Sequence, residues 1–290
     1  MCGRFVFAFS KDELENISGT KRWLNAEKYH TSYNVAPSAY VPIVRTFTPE
    51  QQVKEQVEEL KVKEEPQEQD EKVANKPFDA KRVLHVMKWG LQPFWSRSVS
   101  NTAKTCVNAR SETLLEKNMF RVPLKAGGRG VLIVNGFYEW KKDAEEKRKN
   151  PYFISVENGP LYMAVVYDLS KEKSSKEGQF TIITVDASPC VAWLHDRMPA
   201  LLEPNQLDVW LDTKKFSLEE ALTLLRPLEG NLKVQQASRR VNSVRNDGAE
   251  LISYKRTREE TDRSTSQSSI ENFFSSSSRN KCTKGNDMKE

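Results

Sequence analysis

The N-terminal run Met1-Cys2-Gly3-Arg4-Phe5-Val6-Phe7-Ala8-Phe9 sets the reading of the whole chain. Phe5, Phe7 and Phe9 alternate with Val6 and Ala8, so both faces are apolar, the pattern of a strand buried on both sides. Such a strand pins a terminus that would ordinarily fray, and Gly3 permits close approach of the backbone. The residue pinned this way is Cys2. A small second residue lets methionine removal leave Cys2 with both a free amine and a thiol. The amine (ordinary pKa about 7.7 to 8.0) and the thiol (about 8.5) are both partly deprotonated near neutral pH. Together they close a five-membered ring on one aldehyde carbon, imine first and then thioether, to give a thiazolidine. For Cys2 taken alone, a buried structural cysteine is the plainer reading.

With 290 residues the chain is long enough to bury a real core as one large domain or two small ones. The four cysteines (Cys2, Cys106, Cys190, Cys282) have no CxxC spacing, and the three histidines are scattered. Neither a zinc site nor any cofactor is expected, and reduced thiols in an intracellular compartment fit best. No apolar run nears the roughly 18 residues that cross a bilayer. A soluble, monomeric protein of the nucleus or cytoplasm is predicted. The net charge of +5 hides an acidic stretch: residues 50–72 carry nine acidic and four basic side chains, leaving +10 on the rest. That surplus hints at a polyanionic partner.

Along the chain, Ser10-Lys11-Asp12-Glu13 reads as a capping box opening a helix, and Ser32 to Pro37 as a loop before a strand at Val41–Arg45. Residues 49–78, rich in Glu, Gln and Lys and punctuated by proline, read as a solvated insertion. A strand at Val83–Met87 runs into Lys88-Trp89-Gly90-Leu91-Gln92-Pro93-Phe94-Trp95, an aromatic loop in which Trp89 is either core or a face for a nucleobase. Asn108-Ala109-Arg110-Ser111-Glu112-Thr113 is expected to open a helix with Arg110 at its N-terminus as a phosphate site. After a glycine-rich turn at 125–130 and a strand at Val131–Val134 comes Asn135-Gly136-Phe137-Tyr138-Glu139-Trp140. There Glu139 is either a rim carboxylate or one whose pKa the flanking rings raise for acid work. Strands follow near Phe153–Val156, Leu161–Val166 and Phe180–Val185. His195, in the loop Leu194-His195-Asp196-Arg197-Met198-Pro199-Ala200, is suited to shuttling protons. Helices near Pro204–Leu211 and from the capping box at Ser217 to Leu225, then a strand near Val234–Ala237, complete an α+β pattern without regular βαβ alternation.

From about Lys255 the composition turns to Ser, Thr, Lys, Arg and Glu, the signature of a disordered tail. Gln267-Ser268-Ser269-Ile270-Glu271-Asn272-Phe273-Phe274 interrupts it. Gln267, Ile270, Phe273 and Phe274 match the four defining positions of the motif that binds the sliding clamp, PCNA, and the segment resembles it.

Six blocks in order make the chain similar to the SRAP family of abasic-site processing proteins, formerly SOS-response-associated peptidases. They are Met1–Arg4, Tyr33–Pro37, Lys88–Leu91, Asn108–Thr113, Gly136–Trp140 and His195–Ala200. The resemblance implies a mainly antiparallel, barrel-like α+β domain over residues 1–254. It also implies a substrate, the open-chain aldehyde of an abasic site in single-stranded DNA at replication forks. On this resemblance Cys2 forms the thiazolidine, Asn108 orients the N-terminus or the sugar, and Glu139 and His195 move protons. Arg110, Arg4 and Lys88 contact phosphates, and Trp89 and Trp140 support a splayed base or sugar. Lyase activity is expected when Cys2 is replaced but the amine remains. Two other readings stay open: an N-terminal-cysteine peptidase that removes its own Met1, and a non-covalent adaptor tethering single strands to the clamp.

Overall fold

Ser10 and Glu13 exchange side-chain to backbone hydrogen bonds, the capping box expected there, and this starts helix α1 (Lys11–Ser18), which Gly19 closes at φ 69°. The computed structural model describes residues 2–47, 82–93, 105–141, 150–169, 178–230 and 232–253. The acidic insertion, Trp95 and the tail with its clamp motif lie outside the described residues.

In chain order the strands are β1 (Phe5–Phe7), β2 (Trp23–Leu24), β3 (Ser32–Val35), β4 (Tyr40–Thr46), β5 (Arg82–Trp89), β6 (Asn108–Arg110) and β7 (Arg129–Val134). They continue with β8 (Gly136–Lys141), β9 (Asn150–Ser155), β10 (Leu161–Leu169), β11 (Gly178–Asp186), β12 (Arg197–Pro199), β13 (Leu201–Leu202) and β14 (Lys233–Gln236). Short helices α2 (Asn118–Lys125), α3 (Pro189–Ala192), α4 (Leu207–Leu211) and α5 (Leu218–Leu222) lie between them. The class is α+β, dominated by antiparallel sheet.

One sheet runs β14-β9-β8-β1-β3; the other runs β12-β11-β10-β7-β4-β5-β2, with β13 on β10 and β6 on β11. The both-faced apolar pattern of the first strand has its cause here. Phe5 and Phe7 enter the main core, while Val6 joins Tyr138, Phe153, Ala237 and Val241 on the other face of the five-stranded sheet. Gly136 is forced at the start of β8: a Cβ there would collide with the Phe153 ring and stand 2.6 Å from the Ile154 carbonyl.

Three sequence expectations are corrected. Ser32–Val35, expected as loop, is strand β3 on β1, and the expected His195 loop contains strand β12 (Arg197–Pro199) on β11. Asn108–Arg110 is a strand, not a helix opening, because its backbone pairs in parallel with β11, Ile182 opposite Asn108 and Thr184 opposite Arg110. Only a 3-10 turn, Ser111–Thr113, follows it. Helix α2 was not foreseen because Val122 and Pro123 weaken its local signal; it buries Phe120 and Leu124, one turn apart, against the core.

Candidate active site around Cys2

Cys2 stands three residues before the first residue of β1 and is fully buried. Phe5 pairs with Phe137, and the Tyr138 N–H donates to the Arg4 carbonyl at 2.9 Å. Extending that register puts Glu139 level with Gly3, beside the cysteine. From the other sheet, Asn108 Nδ2 donates to the Cys2 carbonyl at 2.8 Å. The N-terminus is therefore gripped from both sheets. A carbonyl can only accept, so this bond fixes which end of the Asn108 amide faces it. The other end, Oδ1, is buried, and among the described residues nothing donates to it. It is an acceptor held ready for an N–H or O–H.

Glu139 is buried in β8 at 4% exposure, on the same face as Phe137 because strand side chains alternate. Its charge is felt at the sulfur: burial first and the Glu139 carboxylate second push the Cys2 thiol well above its ordinary range. Burial thus favours the neutral thiol, which donates to the Arg4 carbonyl at 3.9 Å. A neutral buried thiol reacts as a nucleophile only if a base takes its proton as the new bond forms. Glu139 is the carboxylate whose charge reaches the thiol.

His195 sits in a second cluster. Its Nδ1 accepts from the Arg197 N–H at 3.0 Å and lies 2.7 Å from Asp196 Oδ1. Arg197, two residues on, is buried and forked onto Glu112, Nη1 to Oε1 at 2.7 Å and Nη2 to Oε2 at 3.0 Å. Nη1 also reaches Asp186 at 2.6 Å, and Nη2 donates to the Thr184 carbonyl at 2.7 Å. Glu112 follows the strand that carries Asn108, so this ion pair ties the Asn108 segment to the His195 turn across β11. The Arg197 hydrogen bond holds the Glu112 carboxyl below the usual carboxylate range. This clamp was missed because its partners are 85 residues apart.

The candidate DNA-contacting residues divide. Trp89 is corrected: it is fully buried, its indole N–H donates to the Val107 carbonyl at 3.0 Å, and its ring packs 4.8 Å from Phe5. No face is left for a base. Arg4 has a structural task. Its Nη1 donates to Asn34 Oδ1 at 2.7 Å and to the Val241 carbonyl at 2.9 Å, and the guanidinium lies over Trp140. Asn34 in turn donates to the carbonyls of Ser243 and Asn246, so Arg4 staples the C-terminal segment to β1. Trp140, half-buried, stands one residue from Glu139 and so on the opposite face of β8, with its indole N–H on Asn242. Arg110 is exposed and Lys88 half-exposed. Among the described residues no group of three His, Cys, Asp or Glu is arranged to hold a metal.

The family model described as SOS response associated peptidase (SRAP) matches residues 1–244. The chain belongs to the SRAP family. Three relatives show the range of the resemblance. Abasic site processing protein YMR114C of Saccharomyces cerevisiae is 31% identical, over 87% of this chain and 67% of that protein. The abasic site processing protein HMCES of Gallus gallus is 30% identical, over 87% and 77%. YoqW of Bacillus subtilis, with the same descriptive name, is 29% identical, over 87% and 99%. Among solved structures, a Bordetella bronchiseptica protein superimposes over 82% of this chain and all of its own at a TM-score of 0.59 and 14% identity, a likeness of fold. A Bacteroides thetaiotaomicron protein at 27% identity covers 60% of this chain and 78% of its own, with a TM-score of 0.51. Cys2, Asn108, Glu139 and His195 all fall inside the SRAP match, as do the Glu112–Arg197 clamp and the Arg4–Asn34 staple; the 255–290 tail falls outside it.

Proposed function

We propose that this SRAP protein captures the open-chain aldehyde of an abasic site in single-stranded DNA as a covalent thiazolidine at Cys2. The observation that carries the reading is a fully buried thiol beside Glu139, on a residue whose carbonyl Asn108 holds from the facing sheet. The names of the relatives support the substrate class.

With Met1 removed, the Cys2 amine adds to the aldehyde carbon and the resulting carbinolamine loses one water to give an imine. The Cys2 S–H then adds across the C=N bond: sulfur bonds to carbon and the thiol proton ends on nitrogen, with Glu139 carrying it. The sum is one aldehyde joined and one water released. Asn108 Oδ1 accepts from the amine or from a sugar hydroxyl. His195 supplies and recovers the proton that opens the sugar ring and expels water. Arg110 and Lys88 contact flanking phosphates. The tail residues Gln267, Ile270, Phe273 and Phe274 bring the protein to the sliding clamp in the nucleus.

The deciding experiment incubates protein of verified N-terminal mass with an oligonucleotide bearing one abasic site, followed by a denaturing gel. A retarded band that survives denaturation and vanishes with Cys2→Ala is expected. No such band from a free Cys2 would overturn the reading. The same buried cysteine and carboxylate also suit attack on a peptide carbonyl, and turnover of a peptide without DNA would select that alternative. Loss of clamp binding in Phe273→Ala plus Phe274→Ala tests the tail separately.

A further inference from the structure

Among the described residues Trp193 is the only exposed Trp, Phe or Tyr, at 50%. It follows helix α3 by one residue and precedes His195 by two. Its indole N–H donates to the Cys190 carbonyl at 3.0 Å, which docks the ring on its own turn and satisfies its polar atom. Tyr152 stands perpendicular to the ring, centroids 5.1 Å apart at 90°, and Lys141 holds its ammonium over the ring, 5.8 Å from the centroid.

These partners are not random neighbours of the site. Tyr152 pairs directly with Glu139 across β8 and β9, and cross-strand partners share a face. Lys141 lies two residues beyond Glu139 on the same strand, so it too shares that face. Trp193 therefore rests on the outward continuation of the Glu139 face, against Tyr152 opposite Glu139 and against Lys141, which lies about 7 Å along the strand from Glu139. Trp140, which sequence reasoning placed against the DNA, is on the other face.

Resting on the proposed capture of an abasic site, we propose that Trp193, backed by Tyr152 and flanked by Lys141, is the stacking platform for a nucleobase one or two nucleotides from the lesion. A half-exposed aromatic ring with its polar atom already satisfied and one cation over it fits a base and its phosphate and favours no particular base. An extended single strand with its lesion at Cys2 and Glu139 that runs outward along β8 crosses this surface. The platform acts by positioning: it holds the strand so that the lesion stays at the thiol, and takes no part in the bond changes.

The test uses the full chain and two readouts. Anisotropy measures binding of an undamaged single strand, and the denaturing gel measures cross-linking against protein concentration. Trp193→Ala is expected to raise both half-saturation concentrations at least about fivefold, and Trp193→Phe to stay within about twofold of wild type. On an abasic oligonucleotide whose two neighbours on each side are baseless spacers, wild type is expected to fall to the Trp193→Ala level, with no further loss in the variant. Wild-type behaviour of Trp193→Ala, or a wild-type protein indifferent to the spacers, overturns the platform; the spacer arm decides even if the alanine variant misfolds. If wild type forms no Cys2-dependent band at all, the capture reading fails, while the anisotropy arm still decides whether Trp193 stacks a base.

Discussion

The Asn108 side chain donates to the carbonyl of Cys2 across the junction of the two sheets, at 2.8 Å. This amide joins the β1–β8 pairing in setting the position of the terminus. Asn108→Ala leaves the buried Cys2 carbonyl without this donor, a loss of about 1 to 3 kcal/mol. The melting temperature is expected to fall by several degrees. In the refolded variant, cross-linking slows even at saturating DNA, because the loss lies in placement of the nucleophile and not in affinity. Calorimetry and single-turnover gels check the two halves.

Glu139→Gln separates the carboxylate's two effects on sulfur. Its charge raises the Cys2 thiol, so removing that charge makes the thiol ionise more readily, and alkylation by iodoacetamide at pH 8 speeds up. The thiazolidine step slows, since the base is gone. In wild type, exposed Cys190 is alkylated well before buried Cys2. Mass spectrometry of modified peptides against time follows each thiol. Slower alkylation of Cys2 in the glutamine variant would falsify the assigned electrostatics.

The Glu112–Arg197 pair carries an acid-side dependence with a definite sign. Glu112 has its carboxyl lowered by the Arg197 hydrogen bond, so the unfolded chain binds its proton first as pH falls. The stability this contributes is present above the ordinary glutamate value of about 4.3 and is lost as pH drops through the lower folded value. Denaturant melts from pH 6 down to pH 3 are expected to show a shallower decline in Glu112→Gln than in wild type. The exposed carboxylate keeps the difference small.

Arg110 is exposed at the end of β6 with its segment clamped behind it. Arg110→Ala is expected to weaken single-strand binding without altering the melting temperature. The slope of log affinity against log salt should become shallower by about 0.7, the value of one phosphate contact on a single strand. Titrations at three salt concentrations measure it.

What was legible in the sequence was whatever is decided locally. The capping boxes at Ser10 and Ser217 form as their spacing predicts. The strands around Val41, Val83, Val131, Leu161 and Phe180 sit where their apolar runs are. Trp89 was misjudged because burial is a property of what folds onto a residue: Phe5 and Val107 close over the indole. Asn108-Ala109-Arg110 looked like a helix entry because its neighbours suit a cap, whereas parallel pairing with β11, some 75 residues on, makes it a strand. Trp193 carried no local signal, since its meaning comes from Tyr152, and that of Tyr152 from lying opposite Glu139.

The strand that begins just after Cys2 is an inner member of its sheet, flanked by β3 on one side and β8 on the other. A load hung on Cys2 and directed along β1 therefore does not peel the strand from an edge one bond at a time. It must shear two ladders together and break the Asn108 grip as well. A polymer tethered there and dragged by a motor would meet a mechanically stiff anchor, and clearing the tether would fall to chemistry or to proteolysis of the whole domain.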